Sequence, residues 1–152
     1  HYLVEAAAAA GCRRIILTSS IYAVRGHGPD PPVTPDQPVF PQGIYGATKC
    51  WAEALGRDAS ARHGISCIAV RLGNPRFDQA GEWDPEEPSY MISARDTAQL
   101  FGLCVDVEAV EFAIVHGSSQ HRRMWLDITS TRELLGFEPE DGTAFPRGFA
   151  TD

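Results

Sequence analysis

Three short apolar runs punctuate the chain: Ile15-Ile16-Leu17 after Arg13-Arg14, the stretch Ile65 to Leu72, and Phe112-Ala113-Ile114-Val115 before His116. Continuous rather than alternating hydrophobicity suits strands covered on both faces of a parallel sheet. Segments of helical spacing lie around them. Tyr2-Leu3-Val4-Glu5 and five alanines predict a helix over residues 1–10, stopped by Gly11. A second helix is expected from Tyr45 to His63, with Ala47, Trp51, Ala54, Leu55 and Ala59 as its packing face and Gly64 as its end. Ser93-Ala94-Arg95-Asp96 has the form of a capping box, with Asp in place of Glu, and opens a helix whose apolar side includes Ala98, Phe101, Cys104 and Val105. Asp127 to Leu135 predicts a short helix closed by Gly136. The Pro-rich stretch from Tyr22 to Gly43, and the polar stretch from Gly73-Asn74-Pro75 to Tyr90, read as loops. Helices and strands strictly alternate, which implies an α/β fold with right-handed crossovers and helices on both faces of a parallel sheet.

Charge narrows the function classes. The 152 residues carry 13 Lys+Arg against 20 Asp+Glu, a net charge of -7. Nucleic-acid binders and cationic membrane-surface proteins need a basic footprint, and this chain has none. No apolar run approaches the roughly 18 to 20 residues that span a bilayer. Cys12, Cys50, Cys67 and Cys104 are far apart and form no C-x-x-C pair, so neither a zinc site nor a disulfide framework is expected, and the location expected is cytoplasmic. The chain has no initiator Met, and no Ser, Thr, Asp or Asn precedes the first helix to cap it. Together these features lead to the expectation that the chain is a piece of a longer protein, somewhat over half of one domain.

Twelve of the thirteen basic residues are Arg; the one lysine, Lys49, stands four residues after Tyr45. At that spacing a phenol and an ammonium share one face at the start of a helix. A phenol with its ordinary pKa near ~10 is a poor base at neutral pH unless phenolate is stabilised. A nearby ammonium does this, and the positive end of the helix adds to it. Ser20 closes the first strand, where open α/β sheets bind their ligands. Its hydroxyl can donate to a substrate oxygen while Tyr45 exchanges a proton with it.

Thr18-Ser19-Ser20, then Tyr45-x-x-x-Lys49, then a strand ending Arg71-Leu72-Gly73-Asn74, resembles the extended short-chain dehydrogenase/reductase superfamily. More narrowly it is similar to the NAD-dependent epimerase/dehydratase group and its uronate dehydrogenase-like branch. Val4-Glu5-Ala6-Ala7, Ser93 to Leu100, His116-Gly117-Ser118, Trp125-Leu126-Asp127 and Leu135-Gly136-Phe137-Glu138-Pro139 extend the likeness over nearly the whole chain. The resemblance implies the second half of a Rossmann-type doubly wound sheet over residues 1–74 and a small substrate-side segment over 75–152. It implies NAD as cofactor, with NADP the alternative, and a sugar or sugar-acid carbinol as substrate. Tyr45 is then the general acid/base, Lys49 holds the nicotinamide ribose, and Ser20 orients the reacting carbinol or carbonyl. Lys49, Tyr45, Gly73, Asn74 and Pro75 are the expected cofactor contacts; Ser20, Ile21, Tyr22 and Asn74 are the expected substrate contacts.

The chain departs from the pattern in informative ways. The family's Gly-rich dinucleotide turn is missing: Gly26-His27-Gly28 runs into Pro29 rather than into a helix. Ile21 and Tyr22 follow Ser20 where the uronate branch tends to be polar. Asp84-Pro85-Glu86-Glu87-Pro88 stands where that branch places an Arg for a carboxylate, leaving Arg76, Arg122 or Arg123 as substitutes. Fewer than 80 residues follow Asn74, which favours a small free sugar over a nucleotide-diphosphate sugar. His27 in the Pro-rich loop is expected in solvent, and His116 and His121 at a strand-end turn rather than on a metal. The competing readings are a non-catalytic dinucleotide-sensing or scaffold protein of the same fold, and an inactive truncated product; the intact protein is expected to be a homo-oligomer. Three strands without their neighbours expose a sheet edge. Residues 1–152 in isolation are therefore expected neither to bind NAD tightly nor to stay monomeric; a light-scattering monomer with micromolar NAD affinity by calorimetry would contradict this.

Overall fold

Strands form where the apolar runs stand. The structure, a computed structural model, describes residues 1–76 and 87–142. Strands β1 (Arg14–Ser20), β2 (Ser66–Leu72) and β5 (Phe112–Gly117) make a parallel sheet in the order β1-β2-β5. Their register aligns Ser20 with Leu72, and Leu72 with Gly117, so the three carboxyl ends are level. The sheet crosses residue 74, because β5 comes from the 75–152 segment and pairs with β2.

Helices α1 (Tyr2–Ala9) and α2 (Gly43–His63) cover one face, where Val4, Ile15, Ala59, Ile65 and Cys67 are buried together. Helices α3 (Ala94–Asp106) and α4 (Thr129–Leu135) cover the other, around Ile68, Val70, Leu100, Val115, Leu135 and Phe137. The expected helix ends at Gly64 and Gly136 are left-handed caps, with φ of 66° and 69°. Two very short strands, β3 (Asn74–Arg76) at the start of the stretch read as a loop and β4 (Met91–Ser93) just after it, pair in parallel. With three residues each and a proline in β3, they lack the length that makes a strand visible in sequence. Among the described residues no helix is long and apolar enough to cross a membrane.

Both long helices bury only part of the face expected from their apolar residues: Ala59 on α2 and Cys104 on α3 are buried as expected, and Phe101 packs against the core. On α2 the buried residues are Gly46, Glu53, Gly56 and Ala59, whereas Trp51 is 58% exposed and Ala47 and Ala54 face solvent. The reason is close approach: a Cβ on Gly56 would stand 2.6 Å from the Cys67 sulfur, so only small residues fit between helix and sheet. On α3 the buried line is Asp96, Leu100 and Cys104, with Ala98 and Val105 exposed. The capping box is half formed. Ser93 Oγ accepts the Asp96 N–H at 3.0 Å, but the Asp96 carboxylate accepts from Ser119 Oγ and from the N–H groups of Glu140 (2.7 Å) and Asp141 (3.2 Å). Asp96 thus ties the end of the described chain to α3. Burial raises its pKa against the pull of those donors.

Ser19, Arg71 and His116 share one register line across the sheet, and all three are buried. Arg71 meets Glu53 of α2 in a two-pronged ion pair, Nε to Oε1 and Nη2 to Oε2, each at 2.9 Å. Ser19 Oγ donates to Glu53 Oε1 at 2.5 Å, and Arg71 Nη1 donates to the Pro35 carbonyl at 3.3 Å. His116 Nδ1 lies 3.0 Å from the Asp127 carbonyl. Its burial, and secondarily the Arg71 charge, pull the imidazole down to about 3.

Two stability measurements follow. Removing one partner of a buried ion pair strands the other, so Glu53→Gln should cost about 3–5 kcal/mol in urea unfolding, whereas Glu53→Leu with Arg71→Met should recover most of it. The unfolded chain protonates His116 near its ordinary pKa of about 6.5, and the folded chain does so only near 3. Stability should therefore fall as pH drops between those values, by about 1.4 kcal/mol per pH unit from this residue. Urea midpoints measured against pH should show a shallower acid slope in His116→Gln.

Candidate functional site

The site gathers at the carboxyl ends of β1 and β2 and the first turns of α2. Ser20 ends β1 with its side chain almost buried, and its Oγ accepts the Tyr22 N–H at 3.2 Å, capping a turn of 3-10 helix over Ile21–Ala23. Among the described residues its hydroxyl hydrogen has no acceptor and remains available for a ligand.

Tyr45 and Lys49 occupy consecutive turns near the N-terminus of α2. Lys49 Nζ donates to the Thr18 carbonyl at 2.8 Å and lies 5.3 Å from the centre of the Tyr45 ring. The ammonium is thereby anchored to β1, with two donors left over. Tyr45 is 54% exposed, and its ring meets the Tyr22 ring edge-on at 5.7 Å between centroids. Gly46 lets this corner close: a Cβ there would lie 2.3 Å from the Tyr22 carbonyl oxygen. Any side chain at 46 would push α2, and Tyr45 with it, away from the end of β1.

The other expected residues divide. Gly73 continues from β2, its N–H donating to the Gly117 carbonyl at 2.8 Å, and a Cβ on it would stand 1.8 Å from the Tyr90 carbonyl oxygen. Asn74 follows with its N–H on that same Tyr90 oxygen and its side chain exposed, and Pro75 is partly buried beside it. The structure thus brings Ser20, Tyr22, Tyr45, Lys49 and Asn74 to one end of the sheet. Ile21 does not belong with them. Its side chain is packed away with Val24, Val33 and Leu126, because the 3-10 turn after Ser20 points it into the core.

Of the substitutes for a carboxylate-binding Arg, Arg123 is tied to Asp30 at 2.8 Å and Arg122 lies on the surface, while Arg76 has a buried Nε without a partner among the described residues. The acidic residues 84–86 lie outside the described residues. His27 is exposed, with Nε2 2.7 Å from the Pro38 carbonyl. Gly26 and Gly28 belong to a 3-10 turn and its end, with no helix after them. Among the described residues no group of three His, Cys, Asp or Glu side chains is placed to hold a metal. The thiols of Cys67 and Cys104 are buried and pushed up to about 11 by desolvation.

Sequence reasoning passed over Glu53 and Arg71. A signal was present in both. Arg71 is a charge inside an apolar strand, and Glu53 stands four residues beyond Lys49 on the Tyr45–Lys49 face. The pair joins that face of α2 to the ends of both strands, and so sets the height and rotation of Tyr45 and Lys49.

Comparison with known proteins gives the family and the fold. The NAD dependent epimerase/dehydratase family model matches residues 1–129. A uronate dehydrogenase of Agrobacterium fabrum is 30% identical over 153 residues, covering 97% of this chain and 54% of that protein. A NAD-dependent glucose-6-phosphate dehydrogenase of Haloferax volcanii is 32% identical over 104 residues, 68% of this chain and 39% of that protein. The crystal structure of uronate dehydrogenase from Agrobacterium tumefaciens superimposes with a TM-score of 0.82 at 26% identity, covering 99% of this chain and 58% of that one. The chain spans about half the length of the curated relatives it matches. A parallel sheet of this order, with Ser, Tyr and Lys at its carboxyl end and a family match over most of its length, makes the chain a member of the NAD-dependent epimerase/dehydratase family.

Proposed function

We propose that the chain is the part bearing the Ser–Tyr–Lys residues of a NAD-dependent dehydrogenase that oxidises a carbinol of a small sugar or sugar acid, the Gly-rich half of its cofactor site lying outside these residues. The observation that carries this reading is Lys49 Nζ held on the Thr18 carbonyl beside the Tyr45 ring. The residues present suit the nicotinamide end of NAD. Lys49 keeps two donors for ribose hydroxyls, and Gly73-Asn74-Pro75 runs past the same corner. NAD, when bound, takes up the hydride removed from the carbinol carbon.

The chain's own residues handle the proton and the geometry. Tyr45 Oη, as phenolate, accepts the proton of the substrate hydroxyl as the carbonyl forms. Lys49 stabilises that phenolate through its charge, and the α2 N-terminus adds its dipole. Ser20 Oγ donates to the substrate oxygen while the Tyr22 N–H fixes its own position. The Tyr22 ring stands edge-on to the Tyr45 ring at this corner. The apolar stripe of Ile44 and Trp51, exposed along α2, supports a homo-oligomeric intact protein. Its setting is cytoplasmic in this reading, in keeping with four free thiols.

In the full-length enzyme, Tyr45→Phe should lower kcat at least about a hundredfold, the scale of one general acid/base. Melting temperature should hardly change, because the hydroxyl lost is on a half-exposed ring. Rates of NADH formation, with melting curves as control, check both; undiminished turnover overturns the role of Tyr45.

A further inference from the structure

We infer that the outer edge of β5 is a self-association surface, on which a second copy of this chain adds its own β5 in antiparallel register about a twofold axis. The contact is separate from the Ile44–Trp51 stripe and independent of the chemistry at Tyr45. β5 is the last strand in the order β1-β2-β5, so one of its edges has no neighbour in the sheet. Two bonds fix which backbone groups point to that edge: the carbonyls of Glu111 and Gly117 accept the Cys67 and Gly73 N–H groups. In a parallel ladder every second residue bonds to the same neighbour. Residues 111, 113, 115 and 117 therefore face β2, and Phe112, Ile114 and His116 face outward.

His116 is closed off. Its N–H donates to Thr131 Oγ1 at 3.0 Å, and its carbonyl accepts from that hydroxyl at 2.9 Å. Phe112 and Ile114 are open: both are only partly buried, and among the described residues their outward N–H and C=O groups have no partner. The free ladder is thus two positions long, and this length decides its occupant. An extended peptide running along the strand would stop at the Thr131 hydroxyl. A second β5 set antiparallel, with Phe112 opposite Ile114 of the second copy, fills both positions with four N–H···O bonds and needs nothing of His116 in either copy. Ala113 then stands opposite itself on the axis, at a non-hydrogen-bonded pair where Cα atoms approach to about 4.5 Å and a small side chain fits. Exposed edges are ordinarily guarded by Lys, Pro or a bulge. The run Phe112 to Gly117 has no such residue, its register with β2 is unbroken, and burial keeps His116 uncharged.

The surroundings also match a second copy. A groove of about 460 Å³ lies beside the edge, lined by Arg57 and Ser60 of α2, by Glu111 and Phe112, and by Leu134 of α4. The Arg57 guanidinium stands over the Phe112 ring at 4.7 Å. Arg57 and Glu111 are exposed charges of opposite sign, and among the described residues neither has an ion-pair partner. A twofold axis repeats every contact, so Arg57 of each copy meets Glu111 of the other. Phe112 aligns with Cys67 and Gly117 with Leu72, which places the groove at the amino half of the sheet, away from Ser20 and Tyr45. Both crevices stay open when the copies pair.

Sedimentation velocity on the full-length protein tests this, with a charge exchange as its diagnostic. Arg57→Glu and Glu111→Arg each set like charges across the axis, so either variant alone should sediment at about half the wild-type mass, its association weakened about tenfold or more. Mixed one to one, the two variants regain both opposite-charge contacts, and the wild-type mass should return; no contact within a single chain can be repaired by mixing. A second measurement needs no variant. The Phe112 and Ile114 amides should exchange with deuterium about tenfold or more faster when the protein is diluted below its association range. A wild type that sediments as a single copy, variants of unchanged mass, or a mixture no heavier than its parts overturns the inference. So does protection of the two amides that is independent of concentration, which would assign the edge to another segment of the same protein.

Discussion

The Glu53–Arg71 pair is the contact on which the rest of this structure hangs. It is the place where a helix, two strand ends and the Pro-rich loop meet through one set of hydrogen bonds: Glu53 from α2, Ser19 from β1, Arg71 from β2 and the Pro35 carbonyl. A helix packed on a sheet through glycine and alanine can slide or roll at little energetic expense, because small side chains interlock weakly. A two-pronged ion pair in a dry setting has one good geometry, and it is very unfavourable when broken. Its contribution is thus specificity of placement more than net stability. Because Tyr45, Lys49 and Glu53 are four residues apart, fixing Glu53 also fixes the other two.

This explains a division of labour along α2. Its inner face uses Gly46, Gly56 and Ala59 for close approach, so that the helix axis comes near the strands and a short lysine reach suffices for the Thr18 carbonyl. Its outer face retains Ile44 and Trp51, larger than anything the inner face can hold. Apolar residues are where a helix ordinarily packs, yet of the expected face only Ala59 is fully buried, while Ala47, Trp51 and Ala54 are exposed. The sheet here is approached so closely that volume, not hydrophobicity, selected the inner residues. A charged residue then entered that inner face because Arg71 waited for it.

Much of the fold was legible because its signals are local. Three continuous apolar runs gave three parallel strands, and Gly64 and Gly136 marked the ends of two helices through the left-handed backbone that glycine adopts readily. The Tyr45–Lys49 spacing was equally local, as was Ser20 at a strand end. What escaped depends on residues distant in sequence. Asp96 looked like a capping partner for Ser93 but answers to Ser119, Glu140 and Asp141. Ile21 looked like a substrate contact from its place after Ser20, and the 3-10 turn carries it into the core. The strands β3 and β4 are too short to impose a pattern, and they pair only because Gly73 lets the backbone pass against Tyr90.

The same distinction bears on how the proposed site is held. Ser20, Tyr45 and Lys49, the residues proposed for proton chemistry, lie on elements fixed from within, by a strand end, a helix turn and a buried ion pair. Around them, the segments bearing Tyr90 and Trp125 are joined by an isolated parallel bridge, Ser89 to Met124, and by the edge-to-face contact of their rings. Residues in such segments can be exchanged without disturbing the sheet.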